Sequence, residues 1–381
     1  MLKKILYTLL LLAIISCNQI QKATDAITQP SAREVYARGF EKDDSIYNSW
    51  NSAFAKAYQK KVLPKDQNVL SGLPYTTVGT YSSNNLIPYR YTFTLAAGEI
   101  FHAEVENNVD STAIFLDLFT WENDSIINPT PRLSNAPNER KFTTKITASG
   151  LYTLLIQPEI GTNSSFTLKI YTTPQYGFPV SGKDNKAIQS FWGASRSGGK
   201  RSHEGVDIFA ARGTPVVAIT DGMVSSTGNR GLGGKQLWLR DGIFGQSLYY
   251  AHLDSIIATT GKRVKIGDTL GLVGNTGNAR TTPPHLHFGI YNRTGAINPY
   301  PYIKQTEMPT ILDSLSSNLG VLKNNGTMRL SPTSTSERVG TLKRRDTVLL
   351  LEKTGNWFHI RTHDSLQGYL YKTAIKPVPF T

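Results

Sequence analysis

Two short stretches constrain this chain more than any other: His203-Glu204-Gly205-Val206-Asp207 and His285-Leu286-His287. The chain has seven histidines, and His203, His252, His285 and His287 fall in one region. A histidine and a carboxylate four residues apart, joined by a His-x-His pair, are the donor types of a catalytic zinc. Such an ion takes three protein ligands and keeps one position open. Alternate residues of a strand project to one face, so His285 and His287 share a face if 284–290 is extended. That segment is apolar-rich and bounded by Pro283-Pro284 and Asn292-Arg293-Thr294-Gly295, which predicts a strand. His203 and Asp207 share a face in a strand or in one helical turn, and Gly205, Val206 and Ile208 favour the extended form. Asp stands at the fifth position, so this is not His-Glu-x-x-His and Glu204 is not the base of a helical zinc site.

Further blocks surround these stretches. They are Gly213-Thr214-Pro215-Val216, Asp221-Gly222-Met223-Val224, Tyr250-Ala251-His252-Leu253, Gly274-Asn275-Thr276-Gly277 and Pro284-His285-Leu286-His287-Phe288. In these blocks and their order, residues 175–305 resemble the LytM/lysostaphin-type zinc endopeptidases, peptidase family M23. The resemblance implies one Zn²⁺ held by His203, Asp207 and His287, with His252 and His285 as unligated catalytic histidines. Pro283 stands where the family often has Gly, and Gly289 where it often has Glu. Neither touches an implied ligand, so an altered loop is expected rather than a lost metal.

The N-terminus suggests an address. Lys3-Lys4 precede an apolar stretch, Ile5 to Ile15, that is too short to span a bilayer. Ile14-Ile15-Ser16-Cys17 then resembles a bacterial lipobox, and Cys17 is the only cysteine. Cys17 is therefore expected to carry a lipid anchor, with residues 1–16 removed and no disulfides in the exported protein. The implied location is the cell envelope, as an outer-membrane lipoprotein facing the periplasm or the surface. The formal net charge of +13 suits anionic wall polymer or lipid. No Lys/Arg run of the nucleic-acid-arm type accompanies it, so a basic solvated surface and no nucleic-acid partner are expected.

The remaining chain reads as mainly β and multidomain. Residues 18–72 read as a tether followed by a helix, in which Ile46, Trp50, Phe54, Ala57 and Tyr58 recur at helical spacing after Asp44 or Ser45 as cap. Residues 73–174 hold short alternating segments, such as 89–95, 101–105, 115–119 and 165–171, and predict an antiparallel β-sandwich weakly resembling the pre-peptidase type. His102 reads as a half-buried structural residue. Within 175–305, Thr214–Ile219 and Met223–Thr227 are expected as successive strands around Asp221-Gly222. Lys235–Arg240 and Gln246–Ala251 are expected to repeat that pattern around Asp241-Gly242, with His252 at the strand end. The glycine-rich run 228–235 is no phosphate loop, since Asn229 and Gln236 stand at required positions; it reads as a flexible rim.

Residues 306–318 read as a linker. Residues 319–381 resemble a bacterial SH3-type barrel through Met328-Arg329-Leu330-Ser331-Pro332, Asn356-Trp357-Phe358-His359-Ile360 and Gly368-Tyr369-Leu370. Such modules often bind wall peptides, and Trp357 and Tyr369 serve equally well as core or ligand residues. His359 and His363, with no partner motif, are expected on the surface.

These readings converge on an envelope-anchored zinc endopeptidase acting on peptidoglycan cross-links. Two alternatives stay open: a non-catalytic wall-binding scaffold or hydrolase activator, and a peptidase of exported proteins.

Overall fold

The computed structural model describes residues 24–378 apart from 60–68, 71, 85, 110, 124–125, 128–129, 197, 243–244, 311–314 and 316. The lipobox-like segment and Cys17 lie outside the described residues, as does part of the expected linker. The fold is mainly β.

Period-two patterning builds the N-terminal sandwich. Tyr91, Phe93 and Leu95 of Tyr89–Leu95 point inward, as do Phe101, Ala103 and Val105 of Glu99–Asn107, and all six are buried. They meet between two sheets. One runs Tyr89–Leu95, Gly150–Pro158, Ile114–Asn123; the other runs Tyr75–Tyr81, Ser164–Pro174, Glu99–Asn107, Lys141–Lys145. His102 stacks on Tyr171 at 4.5 Å and bonds Thr173 and Thr143, a structural placement.

Helix Ser45–Gln59 starts where Asp44 Oδ1 accepts the Tyr47 N–H at 2.8 Å. Its packed face holds Trp50, Phe54 and Ala57 of the expected stripe, with Tyr47 taking the place of Ile46, which is 59% exposed. A second helix, Ala32–Ala37, precedes it and opens with a Ser31/Glu34 capping box. Its Arg33 fastens both helices to the sandwich. The guanidinium lies 3.6 Å from the centre of the Phe54 ring and pairs with buried Asp117 at 3.0 Å.

The C-terminal barrel is joined to the sandwich by backbone. Strand Thr347–Thr354 pairs antiparallel with Tyr75–Tyr81, Gly79 opposite Glu352, so barrel and sandwich share an 11-stranded sheet. Val78 of the sandwich sits in the barrel core with Leu350, Phe358 and Leu370. Glu352 is buried at this joint, where it accepts a hydrogen bond from Tyr91 across the boundary and one from His359 Nδ1 at 2.9 Å. His359 is thus not a surface residue as expected: it is 8% exposed and stacked on Tyr369, while His363 is exposed. Tyr369 is a buried residue. Trp357 is half-buried and lies edge-on to Tyr371 at 5.2 Å.

Between sandwich and barrel in sequence lies the body that carries the histidine stretches. Its eight-stranded sheet places Val206–Phe209, His285–Asn292, Ser247–Ala251, Gly234–Arg240 and Gly222–Arg230 side by side in that order. A three-stranded sheet of Pro215–Val217, Thr269–Val273 and Leu253–Ile256 closes the core over Val216, Val224, Leu270 and Phe288. Gly234–Arg240 and Ser247–Ala251 form the expected hairpin, Leu239 opposite Leu248. Pro215–Val217 and Gly222–Arg230 are successive strands as expected, but they do not pair with each other. Pro215–Val217 pairs with Thr269–Val273 in the small sheet, whereas Gly222–Arg230 pairs with Gly234–Arg240 in the large one. The glycine-rich run is the tip of that second hairpin and lies at the cleft rim as expected, with Leu232 and Gly233 in the lining; a Cβ on Gly234 (φ +61°) would meet the backbone of Gly277 at 2.3 Å.

Candidate active site

Strand register assembles the site. Asp207 lies opposite His287 and Phe209 opposite His285, while Ala251 on the other flank also faces His287. The segment 284–290 is extended as expected, from His285. His203 precedes the strand Val206–Phe209 and is fixed by its own backbone: its N–H bonds Ala194 O and its O accepts from Gly193, both at 2.9 Å. Gly205 permits the close approach, since a Cβ there would sit 2.6 Å from the His287 ring.

Three donor atoms converge. His203 Nε2, His287 Nδ1 and Asp207 Oδ1 stand 2.9–3.0 Å from one another. Among the described residues, these three form the one group with the spacing of a metal site. The proton count fits a cation. His203 Nδ1 donates to Phe191 O at 2.9 Å, so its Nε2 carries a lone pair; the carboxylate is acceptor-only. Three acceptor-type atoms therefore share at most the one N–H of His287 Nδ1. Bonds of about 2.0–2.2 Å to one zinc would set tetrahedral donors roughly 3.4 Å apart, a small expansion of this triangle. Burial would raise the Asp207 pKa, but hydrogen bonds and charge from His203 and His287 outweigh it and hold the carboxylate well below its usual range. Burial pushes the His287 imidazole down, against the pull of Asp207.

The other two histidines stand beside this cluster rather than in it. His252 follows the strand Ser247–Ala251 in a left-handed conformation, φ 61°. That strained geometry is held by its N–H to Gly233 O at 2.8 Å and its Nδ1 to Thr276 O at 2.9 Å. His285 Nδ1 donates to Pro283 O at 2.9 Å, and its ring stacks on Phe209. Among the described residues neither ring has a hydrogen-bond partner at Nε2, and the ring centres are 5.1 Å apart. Burial, then the neighbouring His287 and His285, push His252 down to about 4, so it is neutral at physiological pH.

The five residues line one open cleft of about 560 Å³. Every residue lining it lies between Ser190 and Tyr291, so among the described residues neither sandwich nor barrel plugs it. Several wall residues were not singled out from the sequence. Arg196 reaches Asp207 Oδ2 at 2.7 Å from a hairpin formed by Ser195–Arg196 and Arg201–Ser202. Tyr249 sits edge-on to His287 at 5.9 Å, with Tyr291 behind it. Their signal is positional: Tyr249 lies three residues before His252, and Arg196 seven before His203.

Comparison with known proteins finds family models that match two parts of the chain. Residues 201–299 match the model of peptidase family M23, and residues 324–376 match that of a bacterial SH3 domain. An L-Ala--D-Glu endopeptidase of Bacillus subtilis (strain 168) is 36% identical over 35% of this chain and 44% of its own length. A glycyl-glycine endopeptidase of Staphylococcus capitis is 37% identical over 32% of this chain and 35% of its own. A solved catalytic domain of lysostaphin from Staphylococcus simulans is 30% identical over 34% of this chain and 91% of that domain, with a TM-score of 0.27. The chain spans less than half the length of the two curated relatives. It carries an M23 peptidase domain, and peptidases of this family are zinc-dependent.

Proposed function

We propose, for a chain that carries an M23 peptidase domain and a bacterial SH3 domain, that it is a zinc endopeptidase hydrolysing peptide cross-links of peptidoglycan. The observation that carries this reading is the convergence of His203, Asp207 and His287 beside two free imidazole Nε2 atoms in one open cleft. Curated relatives named as an L-Ala--D-Glu and a glycyl-glycine endopeptidase support the substrate class.

His203, Asp207 and His287 would hold the ion, and zinc there supplies a Lewis acid that acidifies water and polarises a carbonyl. The chain's own residues do the rest. His252, neutral and with Nδ1 committed to Thr276 O, takes a proton at Nε2. His285, with Nδ1 committed to Pro283 O, offers a second Nε2, and whichever ring carries the water's proton becomes the donor that steadies the developing oxyanion or protonates the leaving amine. Backbone carbonyls thus fix both rings before substrate arrives. No Ser or Cys nucleophile is required, so no covalent intermediate forms.

We place the protein in the envelope, anchored through a lipid on Cys17, on the strength of the lipobox-like Ile14-Ile15-Ser16-Cys17. The net charge of +13 suits that setting. The test is digestion of purified peptidoglycan by the zinc-loaded protein, with fragments identified by mass. Chelator-sensitive loss of cross-linked dimers is expected and names the bond. Absence of any released peptide from a zinc-loaded, wall-bound protein contradicts the enzyme and leaves the scaffold. Cutting of exported proteins with peptidoglycan spared leaves the other alternative.

A further inference from the structure

We propose that Arg196 is a positioning residue that keeps Asp207 a one-oxygen ligand and so preserves the open coordination position. This inference rests on the reading of His203, Asp207 and His287 as a zinc site.

The two carboxylate oxygens of Asp207 have different partners. Oδ1 faces the donor cluster, 3.0 Å from His203 Nε2 and 2.9 Å from His287 Nδ1. Oδ2 turns away and accepts from Arg196 Nη2–H at 2.7 Å. The same Nη2 donates to Ser190 Oγ at 2.5 Å, and that hydroxyl stands 3.3 Å from His203 Nδ1. One guanidinium therefore ties the carboxylate to the far side of a histidine donor. The hairpin Ser195–Arg196/Arg201–Ser202 that presents Arg196 runs directly into His203, so its register sets both groups together.

A free carboxylate beside a divalent cation can bind through one oxygen or two. The second mode fills a position that a hydrolytic site must leave for water or substrate. A charge-assisted hydrogen bond to Oδ2 opposes that rotation, because the second oxygen would have to give up a cationic donor inside a largely buried site. The side chain of Arg196 is 30% exposed against 11% for Asp207, so the ion pair lies at the mouth of the site with its carboxylate end inward. A guanidinium also withdraws charge from the ligand, which leaves the bound cation a stronger Lewis acid. Arg196 acts through Asp207 in this account, not on the substrate.

The test is the visible absorption of the cobalt-substituted full chain, read beside steady-state kinetics of the zinc form. Wild type is expected to show the intense band of four-coordinate cobalt. Arg196→Ala is expected to lose most of that intensity as Asp207 closes onto the metal, with kcat down about tenfold or more and KM little changed. Arg196→Lys, which keeps a cationic donor, is expected to recover most of the band. An Arg196→Ala protein with the wild-type spectrum overturns the inference, and so does one whose only change is a higher KM, which would make Arg196 a substrate contact. If wild type itself takes up no cobalt, the zinc reading fails at its root and this inference falls with it.

Discussion

The cleft and the barrel–sandwich joint each bury a carboxylate against histidine, yet they do different things. At the joint, Glu352 receives one donor on each oxygen, Tyr91 on Oε1 and His359 Nδ1 on Oε2. In the cleft, a lone pair, a carboxylate oxygen and a single N–H crowd within 3.0 Å. Each carboxylate oxygen has its own donor in the first case, with His359 Nε2 left buried and unpartnered among the described residues; in the second, two acceptor atoms, His203 Nε2 and Asp207 Oδ1, converge on the single N–H of His287 Nδ1. The first arrangement stabilises a fold, whereas the second is complete only with a cation. The type of residue is the same in both, and the balance of protons distinguishes them.

That contrast can be broken from either side. The largest effect is expected from His203→Ala, which removes a metal donor and should drop peptide hydrolysis to background while circular dichroism stays native. Turnover at the wild-type rate with zinc present would refute the single-ion site. His252→Ala should retain zinc but lose about 10²–10⁴-fold in kcat, the usual worth of a positioned proton acceptor. Glu352→Ala inverts the pattern. It leaves His359 and Tyr91 unpaired in a buried joint and should cost about 3–5 kcal/mol in urea unfolding, with activity of the folded fraction unchanged. Tyr91→Phe, which removes a single donor to the buried carboxylate, should cost about 2 kcal/mol in the same assay.

A further effect is one of pH. His252 sits at about 4 in the folded, metal-free protein, below its ordinary value of 6.5, so the unfolded chain binds more protons between those values. Its contribution is present in full above pH 6.5 and fades as pH falls towards 4. His287, also lowered, acts in the same direction. The metal-free protein should therefore lose stability across that window in denaturant titrations, and His252→Asn should flatten part of the slope.

Much of this was legible before any coordinates, for physical reasons. Alternation in 89–95 and 101–105 shows which face is buried, and the hairpin around Asp241-Gly242 has its turn and both partners close in sequence. The His285/His287 strand carries its own period of two. What stayed hidden is non-local. Thr214–Ile219 and Met223–Thr227 flank a turn that passes between sheets, and a turn signal does not say which sheet receives the chain. His359 looked partnerless because Glu352 lies across a hairpin and Tyr91 is 261 residues from Glu352. Arg196 reaches Asp207 only because a hairpin folds the intervening residues back. The helix Ala32–Ala37 was not foreseen: its one signal is Ser31 with Glu34 three residues on, and it is too short to show a period.

The most direct measurement is the zinc content of purified protein after equilibration with the metal and exhaustive dialysis, for wild type, Asp207→Ala and Glu352→Ala. The account predicts one zinc per chain for wild type, none for Asp207→Ala, and one for the folded fraction of Glu352→Ala. A folded wild type without zinc, or full zinc retention by Asp207→Ala, would contradict it.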